Sequence, residues 1–337
     1  MTLSSVLAQN SQTIALSIVI KTLNEERNIA RCIEVILGTF NDIKYEIIVA
    51  DSGSNDCTIE IASNYPVTIV QLANPAEKSC GIGPQLGFQH SHGEFVLILD
   101  ADMVLHVDFV KRALSRMEID KRCAAIGGQL FERTGTGYEY EHRNSQTKKL
   151  EEKVNWLDGC GIYRRKAIES VGYFTNRNLH AYEEKELGLR LKYAGWHMYR
   201  IVEVAVDHYG HSVDTVQLLW RRWRSGYADA CGESIRACFG KPYLMDMVLV
   251  HKTLVICLIF QIFFLTSILT IPWFLAPFKL LGVLLIVGMM LQVTRKKGIK
   301  NGIYSLLYTN IFALGLARGI FKTQVNPLAP IKSVVFK

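Results

Sequence analysis

The sequence has no Cys-x-x-Cys pair; its eight cysteines are scattered along 337 residues. That spacing argues against a zinc site and a disulfide framework, and favours reduced thiols in a cytosolic compartment. The first thirteen residues lack an apolar core, so no cleavable signal peptide is expected there. Basic residues are not interleaved with aromatics in a recognition pattern, and the net charge of +7 is modest. Nucleic acid is therefore not the expected partner. The basic clusters instead border an apolar C-terminal part, which points to lipid headgroups and phosphates.

Charge is missing altogether from Thr253 to Leu275, a stretch long enough to span a bilayer as a helix. Pro272 and Pro277 interrupt it, and Leu280 to Val293 continues apolar. A membrane hairpin is expected, with helices at about 253–272 and 275–293. Arg295, Lys296, Lys297 and Lys300 follow it, and by the positive-inside rule they place their side, with the N-terminal domain, in the cytoplasm. A further helix at about 302–321 carries Arg318 and is expected to lie in the interface or to cross a third time.

What precedes residue 248 has a different pattern. Apolar runs without alternation, Ile14–Ile20, Tyr45–Ala50, Val67–Leu72 and Phe95–Leu99, suit strands buried on both faces. Helical spacing separates them, as at Ile29, Cys32, Ile33, Ile36 and Leu37. Strand and helix in turn predict a right-handed parallel α/β sheet. In such sheets ligands bind beyond the carboxyl ends of the strands. Asp100 and Asp102 stand at the end of the fourth run with one residue between them. If the chain stays extended there, both side chains reach one site. Two adjacent carboxylates suit a hard cation, Mg²⁺ or Mn²⁺; an Asp turn before a helix is the structural alternative. Glu183, Glu184 and Glu186 begin a helical segment, where the macrodipole alone accounts for acidic residues.

Taken together these motifs resemble glycosyltransferase family 2, over roughly residues 14 to 225. Lys21-Thr-Leu-Asn-Glu-Glu26 is similar to that family's Pro-Thr-Tyr-Asn-Glu-Glu opening, with Lys21 in place of proline. Asp51-Ser-Gly-Ser-Asn-Asp56 and Leu99-Asp-Ala-Asp102 resemble its nucleotide and Asp-x-Asp motifs. Leu157 to Phe174 resembles the opening of the acceptor half, and Glu183 to Trp196 resembles the segment that carries the base. Leu219-Trp-Arg-Arg-Trp223 has Leu where processive synthases have Gln.

The resemblance implies a GT-A fold, a Rossmann-like mostly parallel sheet flanked by helices, followed by a C-terminal helical membrane region. The expected divisions are a polar tail at 1–13, a nucleotide-sugar-binding half at 14–130, an acceptor-binding half and juxtamembrane segment at 131–247, and a membrane region at 248–337. It implies an inverting, metal-dependent hexosyltransferase-type enzyme. The donor would be a nucleotide-diphosphate sugar and the acceptor lipid-linked or glycan, at the cytoplasmic face of the inner membrane. The alternatives are a polyprenyl-phosphate glycosyltransferase and a non-catalytic nucleotide-sugar-binding membrane protein. By position, Glu184 would be the catalytic base, and Thr22, Asn24, Glu25, Asp51 and Asp100 would bind the donor. Asp100 and Asp102 would hold Mg²⁺ or Mn²⁺, and His208 would be either a further ligand or a hydrogen-bonded structural histidine. Arg222 and Arg224 would bind either the leaving diphosphate or a lipid phosphate, and Trp220 and Trp223 fit an interfacial belt.

Overall fold

Residues 14–40, 43–134, 151–210, 215–270 and 298–336, with a few positions between 280 and 291, are described by a computed structural model. The expected tail at 1–13, the hairpin turn at Pro272 and Pro277, most of the second hairpin helix, and Arg295–Lys297 lie outside the described residues. The chain divides into two compact units. One runs to Ser212 and includes Gln324–Lys337; the other is Val213–Thr323.

The first unit is built on β1 (Leu16–Thr22), β2 (Tyr45–Asp51), β3 (Thr68–Leu72) and β4 (Phe95–Asp100). These strands are apolar on both faces because helices cover both. Leu16, Ile18 and Ile20 of β1, with Phe95, Leu97 and Leu99 of β4, pack under α1 (Ile29–Leu37) and α4 (Val107–Ile119). The alternate residues Val19, Val96 and Ile98 face α3 (Ile82–Gln89), α5 (Arg165–Ser170) and α6 (Glu183–Tyr193). A short α2 (Thr58–Ala62) links β2 to β3.

Beyond β4 the chain adds β5 (Met103–Leu105), β6 (Cys123–Glu132), β7 (Glu152–Val154), β8 (Gly161–Arg164) and β9 (His197–His208). With a last strand β10 (Ser333–Phe336), the strand order is β10-β3-β2-β1-β4-β8-β6-β9-β5, with β7 also on β9. Of the nine described pairings four are parallel and five antiparallel. The sheet is therefore mixed rather than mostly parallel. The parallel expectation holds for β1 to β4, where helices make the crossovers, and ends where β8 enters antiparallel beside β4. Strand β10 pairs antiparallel with β3. So the final residues, assigned from sequence to the membrane region, extend the sheet edge of the first unit.

The second unit is helical: α7 (Thr215–Arg224), α8 (Ala230–Ala237), α9 (Leu244–Val250), α10 (Lys252–Thr270) and α11 (Ile299–Phe321). The backbones of α8 and α11 touch, and a Cβ at Gly232 would collide with the Leu316 carbonyl. Arg236 donates to the Ile320 carbonyl, and Gln261 of α10 donates to Asn310 of α11 at 2.8 Å. One described helix, Asn301–Phe321, is long and apolar enough to cross a membrane; Leu244–Val250 and Lys252–Phe263 meet that test only as a pair bent by 81°.

Candidate active site

The register of the parallel strands sets the donor side of the site. Thr22 lies opposite Asp51 and Lys21 opposite Asp100, all at the carboxyl ends of β1, β2 and β4. Asp51 is fully buried, and its carboxylate organises the loop that follows. It accepts from Thr22 Oγ1 at 3.0 Å, the Gly53 and Ser54 amides at 2.8 and 2.9 Å, and Gln71 Nε2 at 3.0 Å. Asn24, held at φ +59°, accepts from the Asn55 amide at 2.9 Å, while its own amide donates to Ser54 Oγ at 2.8 Å. The Glu25 amide donates to Thr58 Oγ1 at 2.8 Å. Thr22, Asn24, Glu25 and Asp51 thus come together in two loops stitched to one another.

Asp100 and Asp102 pair with different side chains. The chain turns at Ala101 and Asp102, so the extended geometry that aims residues i and i+2 together is lost. Asp100 Oδ1 lies 2.8 Å from Lys21 Nζ. Asp102 Oδ2 lies 3.2 Å from His208 Nε2, because Met103 pairs with His208 across β5 and β9. The other nitrogen, Nδ1, is 2.6 Å from Glu132 Oε2. Burial pulls the His208 imidazole toward neutrality, but the bond to Asp102, its charge, and Glu132 behind outweigh it and push the pKa up to about 9. Carboxylate, imidazolium and carboxylate then form a line of alternating charge.

Among the described residues no three His, Cys, Asp or Glu side chains converge as a ligand set. A divalent ion bound together with substrate phosphates needs only one or two protein carboxylates. One Asp102 oxygen and one His208 nitrogen fit that requirement, provided His208 gives up its Nε2 proton. Asp100 is a poorer candidate, since Lys21 already neutralises it.

On the opposite wall α6 begins at Glu183, after Tyr182 at φ +66°. Asn24 and Tyr182 are the only described non-glycine residues at positive φ, and backbone strain of this kind clusters at functional sites. The three first-turn glutamates separate by environment. Glu186 is fully buried and held by Arg190 Nε at 2.9 Å and by the Tyr173 hydroxyl at 2.9 Å, which makes it a structural group. Glu184 accepts from the Gly159 amide at 3.3 Å. Burial first, then the neighbouring Glu183 carboxylate, push the Glu184 carboxyl well above the ordinary range, while Lys21 pulls it back. Burial depresses the Lys21 ammonium, yet Asp100, Glu183 and Glu184 together raise it further than burial lowers it. Lys21 is thus the cation shared by three carboxylates.

In the sequence Lys21 stands out only as a departure from proline, and Glu132 has no role. The departure was the signal for Lys21; Glu132 sits at the end of a strand and carried none. Arg222 and Arg224 lie on α7 of the second unit, where their guanidinium groups stack 5.2 Å from the Tyr227 ring and 5.1 Å from the Trp220 ring.

The Glycosyl transferase family 2 profile matches residues 17–172, and the Glycosyl transferase family group 2 profile matches residues 95–316. The chain belongs to glycosyltransferase family 2. Among curated relatives of this family 2 chain, Glycosyltransferase AglE of Haloferax volcanii is 28% identical over 170 residues, 48% of this chain and 56% of AglE. Dolichyl-phosphate beta-glucosyltransferase ALG5A of Trichomonas vaginalis is 28% identical over 131 residues, 35% of this chain and 41% of ALG5A. The chain spans about half the length of these relatives. The crystal structure of S. aureus TarS 1-349 in complex with UDP-GlcNAc superposes with a TM-score of 0.53 at 14% identity, covering 90% of this chain and 91% of that one. That likeness bears on the fold, a mixed α/β domain with a large central sheet consistent with GT-A.

Proposed function

We propose that this family 2 glycosyltransferase is an inverting, metal-dependent enzyme that moves a sugar from a nucleotide-diphosphate donor to a lipid-linked or glycan acceptor. The observation that carries this reading is Glu184. It is a half-buried carboxyl of raised proton affinity, electrostatically coupled to Lys21 and Asp100 at the carboxyl edge of the sheet. A carboxyl tuned upward by burial suits a general base working near neutral pH. Glu184 takes the proton of an acceptor hydroxyl as that oxygen bonds to the anomeric carbon. The bond from that carbon to the diphosphate oxygen breaks on the opposite face, and the bonding electrons leave with the diphosphate. The configuration inverts, through a transition state of oxocarbenium character.

Thr22, Asn24, Glu25, Asp51 and Asp100 are proposed to receive the nucleotide, with Lys21 fixing Asp100. Asp102 and His208 would hold Mg²⁺ or Mn²⁺, which when bound supplies positive charge for the departing diphosphate. Arg222 and Arg224 are proposed to meet a substrate or lipid phosphate.

A second reading has one supporting observation, the relative whose name states dolichyl phosphate as its acceptor. A polyprenyl phosphate is already an anion and needs little base catalysis. Screening nucleotide sugars by thermal shift on the full chain identifies the donor, because a ligand stabilises the state it binds. Sugar release in the presence of lipid extract then separates an enzyme from a binder. Release with a simple polyprenyl phosphate selects the second reading, and donor binding without any release would overturn both.

The membrane reading is a cytoplasmic-side, multi-pass protein of the inner membrane. Residues on both sides of Val213–Thr323 belong to the first unit, so any crossings between them must be even in number. The last third of α11 packs on α8, with Arg318 bonded to Asp229 at 2.7 Å and Lys322 to Glu233 at 2.8 Å. The first two thirds of this 23-residue helix, about 15 residues, measure roughly 22 Å at 1.5 Å per residue. The hydrocarbon core is about 30 Å thick. Helix α11 is therefore proposed to lie in the interface, and the expected hairpin at 253–293 to make the two crossings.

A further inference from the structure

In the second unit a cavity of about 550 Å³ opens between α7 and the last turn of α11. Its lining includes Trp220, Trp223, Arg224, Asp229, Arg318 and Lys322. Three cations face one carboxylate, and the two signs differ in depth. Asp229 is 1% exposed, whereas the Arg318 and Lys322 side chains that it holds at 2.7 and 2.8 Å are 42% and 34% exposed. Glu233, which also holds Lys322, is 3% exposed. The negative groups are the floor that fixes the cations, and the positive groups are what the opening presents.

The aromatics add orientation. Arg318 stacks 4.0 Å from the Trp223 ring, and Arg224 stacks 5.1 Å from the exposed Trp220 ring. A guanidinium lying flat on an indole keeps its N–H edge for oxygen acceptors. Arg224 has no carboxylate partner among the described residues. Two side chains of α11 outside the lining add exposed apolar surface on the same helix, Phe321 at 82% and Leu314 at 50% exposure. Positive charge, paired tryptophans and exposed apolar side chains together match one ligand chemistry.

We infer that this cavity binds the anionic phosphomonoester headgroup of a membrane lipid, with Arg224, Arg318 and Lys322 on the phosphate oxygens and Trp220 and Trp223 beside the first carbons of the tail. A volume of this size exceeds what inorganic phosphate fills and lies within the range of small-molecule sites. The inference does not rest on the transfer reaction, because binding is read without donor.

The test is equilibrium binding to the full chain in neutral detergent, followed by tryptophan fluorescence. The probes are dioctanoyl phosphatidate, dioctanoyl phosphatidylcholine and inorganic phosphate. Saturable binding of phosphatidate is expected, with phosphatidylcholine and inorganic phosphate each at least about tenfold weaker, the worth of one charge-assisted contact. Arg224→Gln should weaken phosphatidate by about tenfold at an unchanged unfolding temperature, since Arg224 is exposed and makes no ion pair among the described residues. Arg224→Lys should recover part of that loss. Equal affinity for inorganic phosphate would leave a free-anion site and overturn the lipid assignment. Equal affinity for phosphatidylcholine, or phosphatidate binding that Arg224→Gln does not change, would overturn the site itself.

Discussion

Replacing Glu184 by Gln is expected to lower activity and raise stability together. The Gln oxygen can still accept from the Gly159 amide, so the shape of the α6 N-terminus is kept. What disappears is the ability to take a proton, and a positioned base contributes about 10²–10⁴ in rate, or roughly 2.7–5.4 kcal/mol of activation free energy. Turnover should fall by that factor while donor affinity stays within about twofold. Stability should move the other way. The folded-state carboxyl is raised above its unfolded value by burial and by Glu183. Between the unfolded carboxyl pKa of about 4.3 and the raised folded value, the folded state therefore holds more protons than the unfolded state. Stability conferred by the protonated form is present at low pH and is lost as pH rises through that window. Glu184→Gln removes this loss, so its advantage over the wild type should grow from pH 5 to pH 8.

Two assays on the detergent-solubilised chain measure this: single-turnover transfer with the donor found by screening, and thermal unfolding across the same pH range. Wild-type turnover should also rise with pH as Glu184 ionises. Lys21→Met serves as the opposite perturbation, because it removes the cation that lowers the proton affinity of Glu184, and it should move the acid limb of the wild-type profile to higher pH. Near wild-type turnover in Glu184→Gln, or a variant whose stability keeps the wild-type pH slope, would refute the assignment of the base.

Asp102→Asn should abolish metal-dependent transfer and weaken Mn²⁺ binding measured by calorimetry; undiminished transfer in excess chelator would sink the metal reading. Arg190→Met leaves Glu186 buried without its guanidinium, and breaking such a pair from one side costs about 3–5 kcal/mol. At roughly 2–4 °C per kcal/mol for a domain of this size, the unfolding temperature should drop by about 6–20 °C; a drop below about 3 °C would show that the pair is dispensable. Asn301→Cys, in sealed vesicles of known orientation, should label from the same side as the exposed Cys57 of the sheet unit. Labelling from the opposite side would mean that the stretch 253–293 crosses only once and that α11 makes the return crossing.

The parallel half of the sheet was legible because its signals are local. An unbroken apolar run announces each strand, and Thr22, Asp51 and Asp100 stand at strand ends, where an open sheet collects its ligands. What escaped depended on partners far along the chain. Strand β9 pairs with β6 through register shifts, and its buried residues Met198, Ile201, Ala205 and Val206 follow no two-residue alternation. Strand β10 has no core of its own; Val334 and Val335 are about half exposed, and only their pairing with β3 makes them strand.

The helix dipole does not separate the three glutamates of α6, since it favours acidic residues anywhere in the first turn, and only the family resemblance singles out Glu184. Their contacts separate them physically. Arg190, one turn onward, and Tyr173 claim Glu186, whereas Glu184 meets Gly159 and the field of Lys21. The same holds for the acidic pair. Its two-residue spacing predicted one shared cation, but a turn at Ala101 sends Asp100 to Lys21 and Asp102 to His208. His208 is in turn held by Glu132, 76 residues away in the chain. Spacing reports which residues can share a face, and only the register of the sheet decides which charges meet there. That is why Lys21, visible in sequence merely as a missing proline, becomes the group on which the electrostatics of the site turns.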